Sequence, residues 1–498
     1  MLAVCGWLAY MAVYQVDDAY IVYRYARNLA RGEGFVFNPG QRVEGVSCFL
    51  WTLALVPFAA ARLPLPTVAP VLTVLAGLGV LLLLPRVSAR LGGRESPDAW
   101  DAGGSVLLAA HPAFAYWCVG GLETVPYTLL LLLALDDQLR EQTRGTGRRS
   151  ALWLGLAALV RPEAPLIAAG LAGARLFAGP GRRPGERLRE QLSWWGVLAA
   201  LLVPFLIFRR LYFGDWLPNT FYAKTGFGLM QNLHDGRVYT LAFLSSLAPG
   251  FGGAGAVTVF IGVGLALALV AFGLPLQRLR APALLVCALG LAVLLEGGDW
   301  MVLHRFWVPG LPAIVLLMVA AGRAATDCRP RLRPGIVLCG SILAASFVAS
   351  GVAQRNGPNG LAVNGAGYRF AHGQVAEFLN TRARPGDTVA LMDIGIIGYE
   401  TDLKVIDISG LTEPAIARAP GGFLHKQYPA DALLKAAPRF FVLVNDFPID
   451  DEIMGRADFA ARYRLVLERN HRFNWEPPQS YTLHVYERRD QGASSPPS

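Results

Sequence analysis

The sequence predicts a polytopic α-helical membrane protein with a soluble α/β domain after its last transmembrane helix. Of its 498 residues, 54% are hydrophobic and only 16% are charged. The mean hydropathy is +0.39, which is too high for a soluble protein of this length. Apolar runs recur up to residue 353, and the pattern then changes to that of a globular domain. We therefore expect two domains, residues 1–353 and residues 354–498.

The apolar runs indicate about eleven transmembrane segments, several with the ~20 residues that cross a ~30 Å hydrocarbon core. They lie at residues 1–14, 48–62, 66–85, 103–119, 121–138, 151–178, 192–213, 254–275, 281–295, 306–322 and 335–353. The first run has no basic leader and no small-residue cleavage site, so it predicts a membrane span rather than a signal peptide.

Strict alternation of eleven spans would place the arginine-rich loop 139–150 outside. The simplest topology that keeps this loop inside makes residues 48–62 an interfacial or re-entrant segment. It also splits residues 151–178 into two short helices at Arg161, Pro162 and Glu163.

The distribution of charge argues against a nucleic-acid-binding protein. The net charge is +9. Residues 1–353 hold 29 Lys+Arg against 19 Asp+Glu, and residues 354–498 hold 16 against 17, so the excess lies in the membrane half. Arginines cluster there in short loops, the pattern typical of cytoplasmic loops. These loops contain Arg140, Arg144, Arg148 and Arg149; Arg182, Arg183, Arg187 and Arg189; and Arg323, Arg329, Arg331 and Arg333. We therefore expect loops 15–47, 214–253 and 297–305, with residues 354–498, to face outward across the lipid bilayer.

The C-terminal part reads as an α/β domain. A helical stretch, Gln374–Arg382, precedes a turn and an apolar strand, Thr388–Met392. Further strands are predicted at Lys404–Ile408, Phe440–Val444 and Tyr481–Tyr486. None of the six cysteines follows residue 354, so the sequence predicts neither a disulfide framework nor a clustered metal site.

An acidic pair, Asp17 and Asp18, directly follows the first apolar run. If residues 19–31 form a helix along the membrane surface, Tyr20 and Arg24 share one face of it with Arg27. One acid of the pair could cap this helix. A cap needs only one carboxylate, and charge near a membrane is costly and commonly functional. We therefore expect a functional role for the other acid.

Glu123 lies in a tight link between two apolar runs, where it either caps the following helix or faces the outer rim of the bundle. Arg161 and Glu163 bracket Pro162 within an apolar stretch. They either pair with each other or point into a polar cavity.

Two further loops repeat the order Gly, Asp, Trp with a basic residue within ten positions. Aromatic rings beside acids suit sugars, because the rings stack on apolar sugar faces while the acids accept hydrogen bonds from hydroxyls. The tryptophans alone are better explained as interfacial anchors. Cations on these loops suit a phosphate. The residues concerned are Asp215, Trp216, Asn219, Tyr222 and Lys224 in one loop, and Asp299, Trp300, His304 and Arg305 in the other.

Together these motifs resemble the bacterial GT-C glycosyltransferases that use polyprenyl-phosphate sugars, in particular the terminal β-(1→2) arabinofuranosyltransferase family of mycobacterial cell-wall assembly. The likeness covers nearly the whole chain. Its main features are Asp17–Trp51 with Asn38, Pro39, Gly40 and Glu44; Gly121–Thr124; Arg161–Glu163; Gly214–Lys224; Gly297–Arg305; and Met392–Arg418 with Asp393, Gly395, Gly398, Asp407, Gly410 and Glu413. Val46, Ser47 and Cys48 depart from the family pattern, which weakens the assignment of the sugar as arabinofuranose.

The resemblance implies a catalytic or metal-contacting acid at Asp17 or Asp18 and a second acid at Glu123. It implies a donor phosphate bound by Arg24, Lys224, His304 and Arg305. Sugar or acceptor contacts are expected from Tyr20, Glu44, Arg161, Glu163, Asp215, Trp216, Asn219, Tyr222, Asp299 and Trp300.

The expected partners are a polyprenyl-phosphate-linked sugar donor and a cell-envelope glycan acceptor, at the outer face of the bacterial cytoplasmic membrane. The sequence establishes no cofactor, and Mg²⁺ or Mn²⁺ could bridge Asp17, Asp18 and the phosphate. The alternatives are a noncatalytic envelope-glycan binding or assembly protein and a lipid-linked sugar transporter. Transporters usually place polar residues at the midplane and contain internal repeats.

Overall fold

The computed structural model describes residues 2–13, 15–144, 147–176, 184–226, 228–247, 277–358, 360–473 and 479–489. The described part is mostly helical, with one sheet near its C-terminus. The helices up to residue 356 are Leu2–Met11, Asp17–Ala30, Phe49–Ala60, Leu65–Leu91, Ala99–Ala110, Pro112–Val119, Thr124–Arg144, Arg149–Ala158, Ala164–Leu176, Pro184–Phe213, Asn219–Lys224, Leu229–Ser246, Arg280–Glu296, Leu311–Cys328 and Arg333–Asn356. Short 3₁₀ turns cover Gln277–Leu279, Arg305–Gly310 and Pro330–Leu332.

Four helical stretches in the described residues are long and apolar enough to cross a membrane, or five if a bent pair counts as one span. They are Leu65–Leu91, Leu188–Phe213, Arg305–Cys328 and part of Pro330–Arg382. The bent pair is Ala99–Ala110 with Pro112–Val119, which meet at 69°. Pro112 explains the break, because proline disfavours helical geometry in the residue before it. The predicted count of about eleven spans is not confirmed, and the run at 254–275 lies outside the described residues.

The structure confirms that the apolar stretch at 151–178 is broken. Arg149–Ala158 ends before the link that contains Arg161, and Ala164–Leu176 follows it. The predicted loop 214–253 is not a loop throughout, because Asn219–Lys224 and Leu229–Ser246 are helical. Polar residues spaced through this segment obscured its helical pattern.

The C-terminal unit, defined here as residues 361–489, is an α/β fold. Five strands run β1 (Thr388–Leu391), β2 (Lys404–Asp407), β3 (Phe440–Val444), β4 (Tyr463–Phe473) and β5 (Gln479–Arg488). Their order in the sheet is β2-β1-β3-β5-β4. Strand β1 pairs in parallel with β2 and β3, whereas β5 runs antiparallel to β3 and β4. Helices of the unit are Leu361–Arg382, Ile396–Glu400, Pro414–Ala417, Ala430–Ala436, Pro448–Met454 and Ala457–Arg462.

The helix Asp17–Ala30 joins the membrane half to the C-terminal unit. Its predicted face packs against residues 396–403 of that unit. The Tyr20 and Tyr399 rings lie 5.8 Å apart, centroid to centroid, and the Arg27 guanidinium donates to the Tyr399 carbonyl at 2.5 Å. The helical face was predicted correctly. This face contacts the C-terminal unit rather than the membrane surface. The contact brings Asp17 against residues 395–396 of that unit.

Candidate active site

The two adjacent acids have different surroundings. Asp17 is buried, and its carboxylate accepts hydrogen bonds from the backbone N–H groups of Gly395 at 2.6 Å and Ile396 at 2.7 Å. Asp17 therefore caps the first turn of a short helix in the C-terminal unit, 378 residues away in sequence. A side chain on Gly395 would collide with the Asp17 backbone, so this close approach requires glycine.

Asp18 lines a cleft between the two halves of the protein, and Asp17 borders the same cleft. Ile21 and Trp300 lie beside it, and the C-terminal unit supplies Asp393 and Tyr481 to the same cleft. The cleft volume is about 80 Å³, below the several hundred Å³ of usual ligand sites. A sugar substrate would have to widen it.

The charges around Asp18 are mixed. Burial raises the pKa of Asp18, while Lys224 and Arg305 lower it and nearby acids, Asp299 and Glu123, raise it further. A carboxylate whose pKa is raised while cations remain beside it is a suitable general base.

Two cations face this acid in different ways. Arg305 is buried and holds Asp299 through its Nε at 2.6 Å. Within the described ranges, its terminal nitrogens have no hydrogen-bond acceptor. Lys224 is exposed, and its Nζ lies 5.5 Å from the centroid of the Phe423 ring. Within those ranges, Lys224 has no acid within ion-pair distance. Both can therefore bind an added anion.

Glu123 belongs to a buried charge network centred on Arg161. The Arg161 guanidinium contacts Glu123 at 3.0 Å and Glu163 at 2.5 Å, and Glu296 lies 4.0 Å away. Arg161 and Glu163 thus pair with each other, one of the two alternatives left open above. Glu123 is therefore held in an ion pair with Arg161.

Arg24, expected to bind phosphate, is occupied by the protein. It is 2% exposed and donates to the carbonyls of Phe37 at 2.8 Å, Gly398 at 2.6 Å and Leu403 at 2.8 Å. Carbonyls and phosphates attract the same guanidinium donors, so residue type alone could not separate the two roles. Arg24 ties the helix Asp17–Ala30 to the C-terminal unit.

His304, also expected to bind phosphate, lies between aromatic rings. Its ring centroid is 5.5 Å from that of Tyr239 and 6.0 Å from that of Phe243. Burial lowers its pKa to about 4, so the imidazole is uncharged at neutral pH. A neutral imidazole is a poor phosphate ligand, and the structure does not support that role for His304.

Several residues expected to bind sugar instead join protein segments. Glu44 forms a buried, two-pronged ion pair with Arg209 at 2.7 and 3.0 Å. Asn219 donates to the carbonyls of Gly410 and Leu411, at 2.8 and 2.9 Å. Sequence reasoning missed Arg209, because its apolar helix surroundings gave no sign of a distant partner.

The two loops that repeat the order Gly, Asp, Trp also differ from each other. Trp300 is 44% exposed and lines the cleft, whereas Trp216 is 57% exposed and lies outside it. Asp215 pairs with Arg418 at 2.5 Å, and the Arg418 guanidinium lies 4.3 Å over the Tyr222 ring. Of these residues, only Trp300 is placed to meet a ligand in the cleft.

Asp393 enters the cleft from the C-terminal end of β1. That edge of a parallel sheet is where ligands commonly bind, and this position was the available signal in the sequence. Each Asp17 oxygen accepts one amide hydrogen bond, and a divalent ion shared by Asp17 and Asp18 stays a prediction. Within the described residues, no group of three or more His, Cys, Asp or Glu could hold a metal ion.

Comparisons with known proteins agree with the expected resemblance. A family described as a domain of unknown function (DUF8728) matches residues 361–486. The terminal β-(1→2)-arabinofuranosyltransferase of Mycobacterium tuberculosis is 32% identical over 253 residues, 48% of this chain and 39% of that protein. The protein of the same name from Corynebacterium glutamicum is 29% identical over 244 residues, 44% of this chain and 34% of its own length. The matches thus span well under half of each relative.

The fold is similar to that of ArnT from Cupriavidus metallidurans in the apo state. The TM-score is 0.55 at 13% identity, over 97% of this chain and 96% of that chain. This likeness concerns the fold alone. The apolar helices agree with the expected multi-pass membrane protein.

Proposed function

We propose that this protein is a membrane glycosyltransferase. It would move a sugar, with arabinofuranose as the first candidate, from a polyprenyl-phosphate donor to a cell-envelope glycan at the outer face of the cytoplasmic membrane. The observation that carries the proposal is the placement of Asp18 in a cleft, where the charges of Lys224 and Arg305 act on its carboxylate. The similarity to arabinofuranosyltransferases supports the choice of reaction.

The chemistry needs a base and an anion site. In the donor, phosphate is already a leaving group on the anomeric carbon. Asp18 takes the proton of an acceptor hydroxyl, whose oxygen then forms a bond to that carbon. The carbon–oxygen bond to phosphate breaks, and the electron pair leaves with the polyprenyl phosphate. Arg305 and Lys224 stabilise the charge that develops there.

The test is transfer from a panel of radiolabelled polyprenyl-phosphate sugars to membrane acceptors, with purified protein in liposomes. We expect Asp18→Asn to lower transfer by the ~10²–10⁴-fold typical of a lost general base. The matched control is Glu95→Gln, which changes an exposed carboxylate outside the cleft and should leave transfer unchanged.

The alternatives predict other results. Transfer by Asp18→Asn within twofold of wild type would overturn the assignment of the base. No transfer from any donor, with glycan binding intact, would favour a noncatalytic binding protein. Movement of intact lipid-linked sugar across the bilayer would favour a transporter.

A further inference from the structure

The wall of the cleft formed by the C-terminal unit contains a polar cluster that the proposed reaction does not use. Its centre is Asp393, the second residue after β1. One carboxylate oxygen, Oδ2, accepts hydrogen bonds from His372 Nε2 at 2.9 Å and from the Tyr481 hydroxyl at 2.5 Å. Both partners belong to the C-terminal unit. The cluster is therefore complete within that unit before any substrate arrives.

The other oxygen of Asp393 is available to a ligand. Within the described ranges, Oδ1 has no hydrogen-bond donor. The Asp393 side chain is 19% exposed, whereas His372 behind it is fully buried. A carboxylate fixed through one oxygen and open through the other can accept a hydrogen bond in a defined direction.

The protonation of His372 follows from its neighbours. Its Nδ1 lies 2.9 Å from the Tyr368 carbonyl oxygen, which can only accept, so Nδ1 carries a hydrogen. Its Nε2 faces Asp393, and that bond also needs a proton. Burial alone would raise the pKa of Asp393, but hydrogen bonding and charge from His372 and the Tyr481 hydrogen bond bring it below its ordinary value. The pair is therefore an imidazolium and a carboxylate.

Asp18 and Asp393, two of the three acids that line the cleft, are thus suited to different tasks. Burial raises the pKa of Asp18, which favours proton uptake, whereas Asp393 remains ionised. Environments that push the pKa values of two acids apart commonly separate their roles in a mechanism. Asp393 is a hydrogen-bond acceptor that keeps its charge rather than a second base.

The cleft also has the apolar surface that a sugar ring requires. It is lined by Trp300, Phe423, Phe447 and Tyr481 together with the carboxylates of Asp17, Asp18 and Asp393. A sugar presents a face of C–H groups and a rim of hydroxyls, so aromatic rings and a directed carboxylate match it. Ligand sites typically combine such apolar walls with a few placed polar groups.

We propose that the C-terminal unit provides the acceptor-sugar subsite, in which Asp393 accepts a hydrogen bond from an acceptor hydroxyl while His372 and Tyr481 hold the carboxylate in place. This inference rests on the proposed glycosyltransferase function and assigns a role to the part of the chain that the sequence left without one. It makes Asp393 a binding residue and His372 a positioning residue.

The test separates acceptor binding from donor cleavage. A synthetic arabinofuranosyl disaccharide with an octyl aglycone serves as acceptor, and donor hydrolysis by water is measured without it. We expect Asp393→Asn to raise the acceptor KM by ~10–100-fold, as for a lost hydrogen bond to a charged group. Donor KM and donor hydrolysis should stay within twofold of wild type. Deoxygenated acceptors should identify the bound hydroxyl, because its removal should weaken binding to wild type more than to Asp393→Asn.

A matched control lies at the other end of the same strand. Asp387 precedes β1 and accepts from the Arg384 N–H at 2.8 Å. Asp387→Asn should leave the acceptor KM unchanged. If Asp393→Asn does not fold, Tyr481→Phe keeps the ring, removes one hydrogen bond to Asp393 and should raise the acceptor KM by ~3–10-fold.

Two outcomes would overturn the subsite. One is an acceptor KM within twofold of wild type in the folded variants. The other is an equal loss of donor hydrolysis, which would indicate general structural damage. Failure of the proposed function can be distinguished from failure of the subsite, because the wild-type protein would then cleave no donor. In that case equilibrium binding of the same disaccharide to wild type and Asp393→Asn tests the subsite, and equal affinities would refute it.

Discussion

The hydrogen bonds from Gly395 and Ile396 to Asp17 predict that this acid, unlike Asp18, holds the C-terminal unit against the membrane half. Both amide hydrogens are buried and bonded to the carboxylate at 2.6 and 2.7 Å. Asp17→Ala leaves both N–H groups without their partner. Asp17→Asn keeps one acceptor oxygen but turns an amide donor toward the other N–H.

The size of the effect follows from these two bonds. A hydrogen bond to a charged group contributes roughly 1.5–3 kcal/mol, so Asp17→Ala should weaken docking by about 3–6 kcal/mol. At about 1.4 kcal/mol per tenfold, the population of opened protein should rise by roughly 10²–10⁴-fold. Asp17→Asn should cost about half as much. Asp18→Asn should cost little, since Asp18 makes neither bond.

Hydrogen exchange measures this opening directly, because the bonded amides report it. Exchange at residues 395–396 should accelerate by that factor in Asp17→Ala, by less in Asp17→Asn, and not in Asp18→Asn. Glycosyl transfer should behave in the opposite way. Asp18→Asn should lose transfer while hydrogen exchange at residues 395–396 stays as in wild type. Unchanged exchange in Asp17→Ala would refute the docking role, and accelerated exchange in Asp18→Asn would refute the division of labour between the two acids.

Two further predictions concern the ion pairs and the cations. Glu44→Gln should lower the free energy of unfolding by about 3–5 kcal/mol, because it leaves the buried Arg209 without its charge partner. Thermal unfolding in detergent measures this loss. If a Glu44→Leu, Arg209→Met double variant is as stable as wild type, the ion pair itself adds little to stability. Lys224 lowers the pKa of Asp18, so Lys224→Gln should raise that pKa. A base acts only when deprotonated, so the acidic limb of kcat/KM should move to higher pH, and a limb that stays in place would contradict the assignment.

Much of the C-terminal unit could be predicted because its central strands are short apolar runs between turns. Strand Phe440–Val444 was predicted with its observed bounds, and the strands at 388 and 404 end one residue earlier than expected. Strand β4 (Tyr463–Phe473) was missed. It lies at the sheet edge, where charged residues are common and hide the strand pattern.

The membrane half was harder to predict, because apolarity does not determine where a helix breaks. The split near Arg161 could be anticipated from Pro162 and its charged neighbours, whereas the bend at His111 was hidden within one apolar run. Within the described residues, length and composition support four spans, or five with the bent pair, and the run at 254–275 lies outside those residues.

The residue types of the site could be predicted, but their partners could not. Asp17 and Asp18 are adjacent, and only the docked C-terminal unit determines which carboxylate is enclosed. Arg24 carries the charge that a phosphate needs, yet it donates to the nearby carbonyl of Phe37 and to the carbonyls of Gly398 and Leu403, which are distant in sequence. A single sequence shows which side chains can bind a ligand. It does not show which distant residues of the same chain occupy them in the folded protein.

The contacts that join the two halves fall largely on the main chain of the C-terminal unit. Asp17 is bonded to two amides, Arg24 to the carbonyls of Gly398 and Leu403, and Asn38 to both the amide and the carbonyl of Val405. Such a joint depends on the path of the backbone rather than on the identity of most side chains. Side chains of the unit's cleft wall could therefore be substituted, and its sugar specificity changed with them, without loss of the contacts to the membrane half. This makes the unit a natural place to graft new acceptor specificities.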